Sequence, residues 1–97
     1  MREIKLTAYA KRTNGLTIHS NLMNTINSLK NREMVKVKNL KSTFLLKGNG
    51  YIYIFSGSDI HKISINKIKK IPRLTLRGLS YYGEKIKYSD IPDKLLN

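Results

Sequence analysis

The hydrophobic positions of this chain change period several times, and each change marks an expected element. From Glu3 to Lys11, Ile4, Leu6, Ala8 and Ala10 alternate with Glu3, Lys5, Thr7, Tyr9 and Lys11. That two-residue period is a half-buried strand. Arg12 to Gly15 reads as a turn, where Asn14-Gly15 can supply the positive φ angles a tight reversal needs. From Ser20 to Arg32 the spacing turns helical, with Leu22, Met23, Ile26 and Leu29 on one stripe. Ser20 can cap its start, and Lys30 and Arg32 suit the negative end of the helix dipole. Its other stripe is Asn21, Asn24, Asn27, Ser28 and Asn31. Asn is a mediocre helix former, so packing has to hold this helix.

Alternation returns with Val35 and Val37 against Lys36 and Lys38. Ser42 to Gly57 then reads as two strands joined at Gly48-Asn49-Gly50, a strong hairpin signal. Ser58 to Pro72 carries two periods at once. As a strand, Ile63 and Ile65 share a face with His61; as a helix, Ile60, Ile63, Ile68 and Ile71 form one stripe capped by Ser58 or Asp59. The β-branched isoleucines tip the expectation to a strand. Pro72 to Gly78 reads as a further strand, with Leu74 and Leu76 inward and Arg73, Thr75 and Arg77 outward. A hairpin around Gly83-Glu84 and a short C-terminal turn or helix from Ser89 or Asp90 complete the chain. The expected class is α+β: one small domain, with an N-terminal helix packed on a mostly antiparallel sheet.

Composition bounds this picture. Ninety-seven residues with 40% hydrophobic content suffice for one modest core. No apolar run reaches the roughly 18 residues of a membrane span, and the first residues lack the apolar stretch of a secretory signal. The expectation is an intracellular protein without membrane contact. With no cysteine, disulfides, thiolate chemistry and cysteine-based zinc sites are excluded.

Charge changes the picture most. Nineteen Lys and Arg against six Asp and Glu give +13, a field that attracts polyanions over a Debye length of about 10 Å at 0.1 M salt. Residues 1–58 carry ten bases and two acids, and residues 59–77 six bases and one acid. Residues 78–97, with three of each, are neutral. That closing segment, with Tyr81, Tyr82 and Tyr88, is a candidate for packing, for a homodimer contact or for docking a protein partner.

The strand from Tyr51 to Phe55 is apolar on both faces, with Tyr51, Tyr53 and Phe55 alternating with Ile52 and Ile54. A core strand looks like this. So does a platform on which nucleic-acid bases stack, with Lys36, Lys38 and Lys47 contacting phosphates. So short a domain has few layers with which to cover a sheet twice, so the face bearing Tyr51 and Tyr53 is expected to be open or loosely covered. Lys47, Gly48, Gly50, Tyr51 and Ile52 resemble the signature strand of the RNA-recognition motif. The resemblance implies base stacking at Tyr51. Asn49 and Ile54 stand where that signature has aromatics.

The basic segment beyond it, with Lys62, Lys67, Lys69, Lys70, Arg73 and Arg77 interleaved with isoleucines, is the other phosphate-contact candidate. Read as strands, it would form a ladder of cations along one sheet face. His19 and His61 have no spacing that brings them to one phosphate, and the scattered carboxylates make no metal-ligand pattern. Gly48-Asn49-Gly50 lacks the Lys-Ser/Thr of a phosphate-binding loop. The expectation is a non-enzymatic nucleic-acid-binding protein that needs no cofactor, with RNA ahead of DNA because of the aromatic strand. The alternative is a protein-binding module, such as an inhibitor of a nucleic-acid enzyme from a virus or plasmid.

Overall fold

Six strands in sequential order form one sheet: β1 (Glu3–Ile4), β2 (Met34–Val37), β3 (Thr43–Gly48), β4 (Tyr51–Ser56), β5 (Asp59–Ser64) and β6 (Glu84–Ile86). The computed structural model describes residues 1–4, 23–38, 40–71 and 76–96. β1 runs parallel to β2, and every other neighbour is antiparallel. A parallel pair requires a crossover, and the helix at 23–28 (α1) lies in that connection. The other helices are α2 (Ile65–Lys70), α3 (Leu76–Tyr82), a 3-10 turn (Tyr88–Asp90) and α4 (Asp93–Leu96). The class is α+β. Of the strand expected from Glu3 to Lys11, only Glu3 and Ile4 fall within the described residues; of the helix expected from Ser20 to Arg32, residues 23–32 do, and it ends at 28, with Arg32 turned to a φ of 72°. The turn at Arg12–Gly15 and the strand residues Arg73 to Thr75 lie outside the described residues.

Both long hairpins follow from their turns. Asn49 and Gly50 take φ of 54° and 79°, the two positive angles of a type I′ turn. This fixes the register Gly48 opposite Tyr51. Between β4 and β5, Gly57 alone is positive (60°), the φ pattern of a type II′ turn.

The sheet is covered on both sides. On one side Val35, Val37, Leu45, Ile52, Ile54 and Ile63 meet Ile26 and Leu29 at α1, Ile68 of α2 and Leu79 of α3. On the other, Leu46, Tyr53 and Ile60 meet Ile91 and Leu95. The expected open face is therefore closed, by the very segment whose charge balances to zero. Ile91 and Leu95 are each buried, a burial that stabilises by about 1.5–3 kcal/mol per side chain. Gly48 makes this possible, because a Cβ there would overlap Leu95.

Three expected elements differ. Residues 59–70 are neither one strand nor one helix: the chain is a strand to Ser64 and a helix after it. Ile60 and Ile63 pair with β4, and the Ser64 hydroxyl then accepts from the Lys67 amide at 3.0 Å, capping α2. Ser58 and Asp59, the alternative caps, are spent in the hairpin turn and its closing pair. Leu76 and Arg77 begin a helix and not the end of a strand. No hairpin forms at Gly83: the chain leaves α3 there and β6 returns to pair with β5.

Candidate nucleic-acid interface

The candidate residues divide into those that hold the fold together and those that face outward. Lys47 belongs to the first group. Its ammonium donates to the carbonyls of Ile26 at 3.0 Å and Leu29 at 3.1 Å, the carbonyls at the end of α1. A helix end leaves such acceptors without partners, and a cation there also meets the negative end of the dipole. Lys36 is likewise engaged, donating to Leu40 O at 3.1 Å and Val37 O at 3.4 Å. Lys38 is exposed at the end of β2, and its amide donates to Ile4 O at 2.7 Å.

The aromatic strand is a core strand at Tyr53, which is 3% exposed. Burial pushes its hydroxyl above the ordinary tyrosine range because the phenolate would lose water; the Lys62 charge opposes this in part. Tyr51 is half-buried, its ring 6.4 Å from that of Tyr53. The Lys62 ammonium sits 5.0 Å from the Tyr51 ring centre, a cation–π contact. The register explains the grouping. Met34, Leu46, Tyr53, Lys62 and Glu84 form one cross-strand row, and Lys36, Phe44, Phe55, Ile60 and Ile86 the next. Both rows lie on the face that Ile91 and Leu95 cover. Stacking of bases on Tyr53 would require that cover to leave.

The expected ladder of cations along one sheet face does not form. Lys62 lies on β5, whereas Lys67, Lys69 and Lys70 project from the last turn of α2. Lys67, Lys69 and Lys70 are all exposed. Lys67 donates to the backbone carbonyl of Tyr82 at 2.9 Å, while Lys69 and Lys70 make no ion pair or hydrogen bond with a described residue. Arg73 lies outside the described residues. Arg77 falls in the first turn of α3, and its side chain is outside the description.

Three of the six acids are engaged away from α2. Among the described residues two ion pairs form, Arg2–Glu33 at 3.1 Å and Lys85–Asp59 at 3.2 Å. Glu33 is taken up further by the Lys30 amide at 2.9 Å. That amide, with the Arg2 guanidinium, holds its carboxyl below the usual range against the opposing effect of burial. Asp90 accepts from the Lys87 amide at 2.9 Å.

Tyr81 and Tyr82, expected as part of a packing or docking segment, stand on a helix. At the end of α3, Tyr81 is 79% and Tyr82 45% exposed, their rings 5.1 Å apart and edge-on at 89°. The dipeptide was visible in the sequence, but only the helix puts it beside α2. His61 lies half-buried on the α3 side of the sheet with a buried Nδ1 that has no hydrogen-bond partner. His19 is outside the described residues. Among those described, no three acidic or histidine side chains gather as a metal site would require.

No family model, no curated protein and no solved structure matches this chain. The likeness to the RNA-recognition motif is confined to the turn and strand at residues 47–54, with Asn49 and Ile54 departing from it. Here that strand belongs to a six-stranded sheet in sequential order, and not to a four-stranded one.

Proposed function

We propose that this protein is a small, basic, non-enzymatic nucleic-acid-binding protein that acts inside the cell without a cofactor. Its N-terminal helix lies on the sheet face opposite α4, and its phosphate contacts come chiefly from α2. The observation that carries this reading is the unpaired cation cluster. Lys67, Lys69 and Lys70 share one exposed turn with no carboxylate of a described residue bound to them, in a chain of charge +13. Neighbouring unpaired cations reinforce each other's field and release counterions when they meet phosphates. The aromatic strand favours RNA over DNA only where its rings can reach bases. With Tyr53 in the core, the reading covers both nucleic acids.

The test is the salt dependence of binding to a generic polynucleotide. With about five phosphate contacts, log K falls against log salt with a slope of about −4. Flat affinity between low and physiological salt, or no binding at low salt, would sink the proposal. A protein-binding module is the rival, supported by Tyr88, 62% exposed in the neutral segment. The two separate on whether the purified protein carries nucleic acid that high salt strips off.

A further inference from the structure

We infer that the tyrosine pair at the end of α3 is a stacking site for unpaired bases, so that the protein prefers single-stranded to duplex nucleic acid. This rests on the reading above and names the form of polyanion that α2 and α3 together would hold.

The first ground is exposure of the right chemistry. Tyr81 is 79% exposed, far more than a tyrosine used for packing. In an edge-on pair one ring turns its edge to the other's face. At least one face of each ring therefore stays free of its partner, and a base needs one open face.

The second ground is rigidity. Three anchors fix the end of α3 onto the sheet. Leu79 is fully buried in the core beneath it. Lys67 ties the Tyr82 carbonyl to α2. Gly83 lets the chain pass so close to β5 that a Cβ would lie 2.8 Å from Leu79 O and 3.0 Å from Lys62 O. A platform held this way loses little freedom on binding, which is where preorganised sites gain affinity.

The third ground is charge. Lys67 reaches the backbone carbonyl of Tyr82, and Lys69 and Lys70 follow in the same helical turn. Glu84, the acid nearest in sequence, stands opposite Lys62 in the row of Tyr53, on the other face of the sheet. Aromatic rings flanked by cations suit a strand whose bases are splayed and whose phosphates run alongside. A duplex hides its base faces and offers phosphates alone.

The experiment measures affinity for a single-stranded homopolymer oligonucleotide and for a duplex of equal length at one low salt. The variants are Tyr81→Ala, Tyr81→Phe and the double change Lys69→Gln, Lys70→Gln. Tyr81→Ala should weaken single-strand binding by about ten-fold or more and leave duplex binding unchanged, with Tyr81→Phe close to wild type. The lysine changes should weaken both and flatten the salt slope. If Tyr81→Ala leaves single-strand binding intact while the lysine changes weaken both probes, the stacking site is overturned and nucleic-acid binding stands. If Tyr81→Phe loses as much as Tyr81→Ala, a hydroxyl contact replaces stacking and the inference fails. Wild-type protein that binds neither probe overturns both proposals. A dimer in solution that Tyr81→Ala converts to monomer assigns the surface to a second copy of the chain and overturns the stacking site.

Discussion

Two regions of this molecule are built from the same residue types and use them in opposite ways. The β3–β4 region joins Lys47 to Tyr51 and Tyr53; the α2–α3 region joins Lys67, Lys69 and Lys70 to Tyr81 and Tyr82. In the first, the ammonium of Lys47 is spent on helix carbonyls, and the Tyr53 ring is core. In the second, two of the three lysines have no bond to a described residue, and both tyrosines face water. Residue chemistry therefore does not assign a role here. What differs is whether another element arrives to take up the groups: α1 and the Ile91–Leu95 segment reach β3 and β4, and nothing described covers the end of α3.

The sharpest way to break this contrast is to truncate a tyrosine in each region. Tyr53→Ala should cost about 3–5 kcal/mol of stability, as large buried aromatics do. Tyr81→Ala should stay within about 0.5 kcal/mol. Urea unfolding of both variants measures this, and equal losses would erase the distinction between the regions. The lysines give the next largest effect. Lys47→Met removes the ammonium from the Leu29 carbonyl and from the Ile26 carbonyl, which keeps the Leu29 amide at 3.2 Å, and should cost about 1–3 kcal/mol, because bonds to charged groups are the stronger ones. Lys69→Gln should leave the midpoint unmoved. A neutral Lys47→Met would mean that water caps α1 as well.

Two smaller effects are read from pH. Tyr53 has its folded pKa raised by burial, so its contribution is fully present below the unfolded value of about 10. That stability declines as pH rises through the higher folded value. Tyr53→Phe should remove this part of the alkaline slope, whereas Tyr81→Phe should leave the slope as it was. At the acid end, Glu33 is held low by the Lys30 amide and Arg2. Its contribution is present above the ordinary glutamate range of about 4.3 and is lost as pH falls through the lowered folded value. Glu33→Gln should flatten the acid limb slightly, measured as melting temperature against pH. An unchanged limb would mean that the Arg2–Glu33 pair survives in the unfolded chain.

Local chemistry was enough for every feature that depends on neighbours in sequence. Asn49-Gly50 dictates a type I′ hairpin because few other residues tolerate two positive φ angles in succession. The alternation of Val35 and Val37 with lysines sets the buried face of β2, and the run from Tyr51 to Phe55 marks a strand that is apolar on both faces. The charge of +13, and its absence from residues 78–97, is likewise a property of the chain alone. Tertiary structure decided the rest. Ile60 to Ile71 carries a strand period and a helix period at once. The switch at Ser64 is settled by β4, which pairs through Ser64 and no further. The fate of Tyr53 depends on Leu95, 42 positions away, and on the space that Gly48 leaves for it. Burial is a relation between distant segments, whereas period and turn chemistry are read within a few residues; for that reason the sequence could name the tyrosines and lysines but not which of them remain open to a partner.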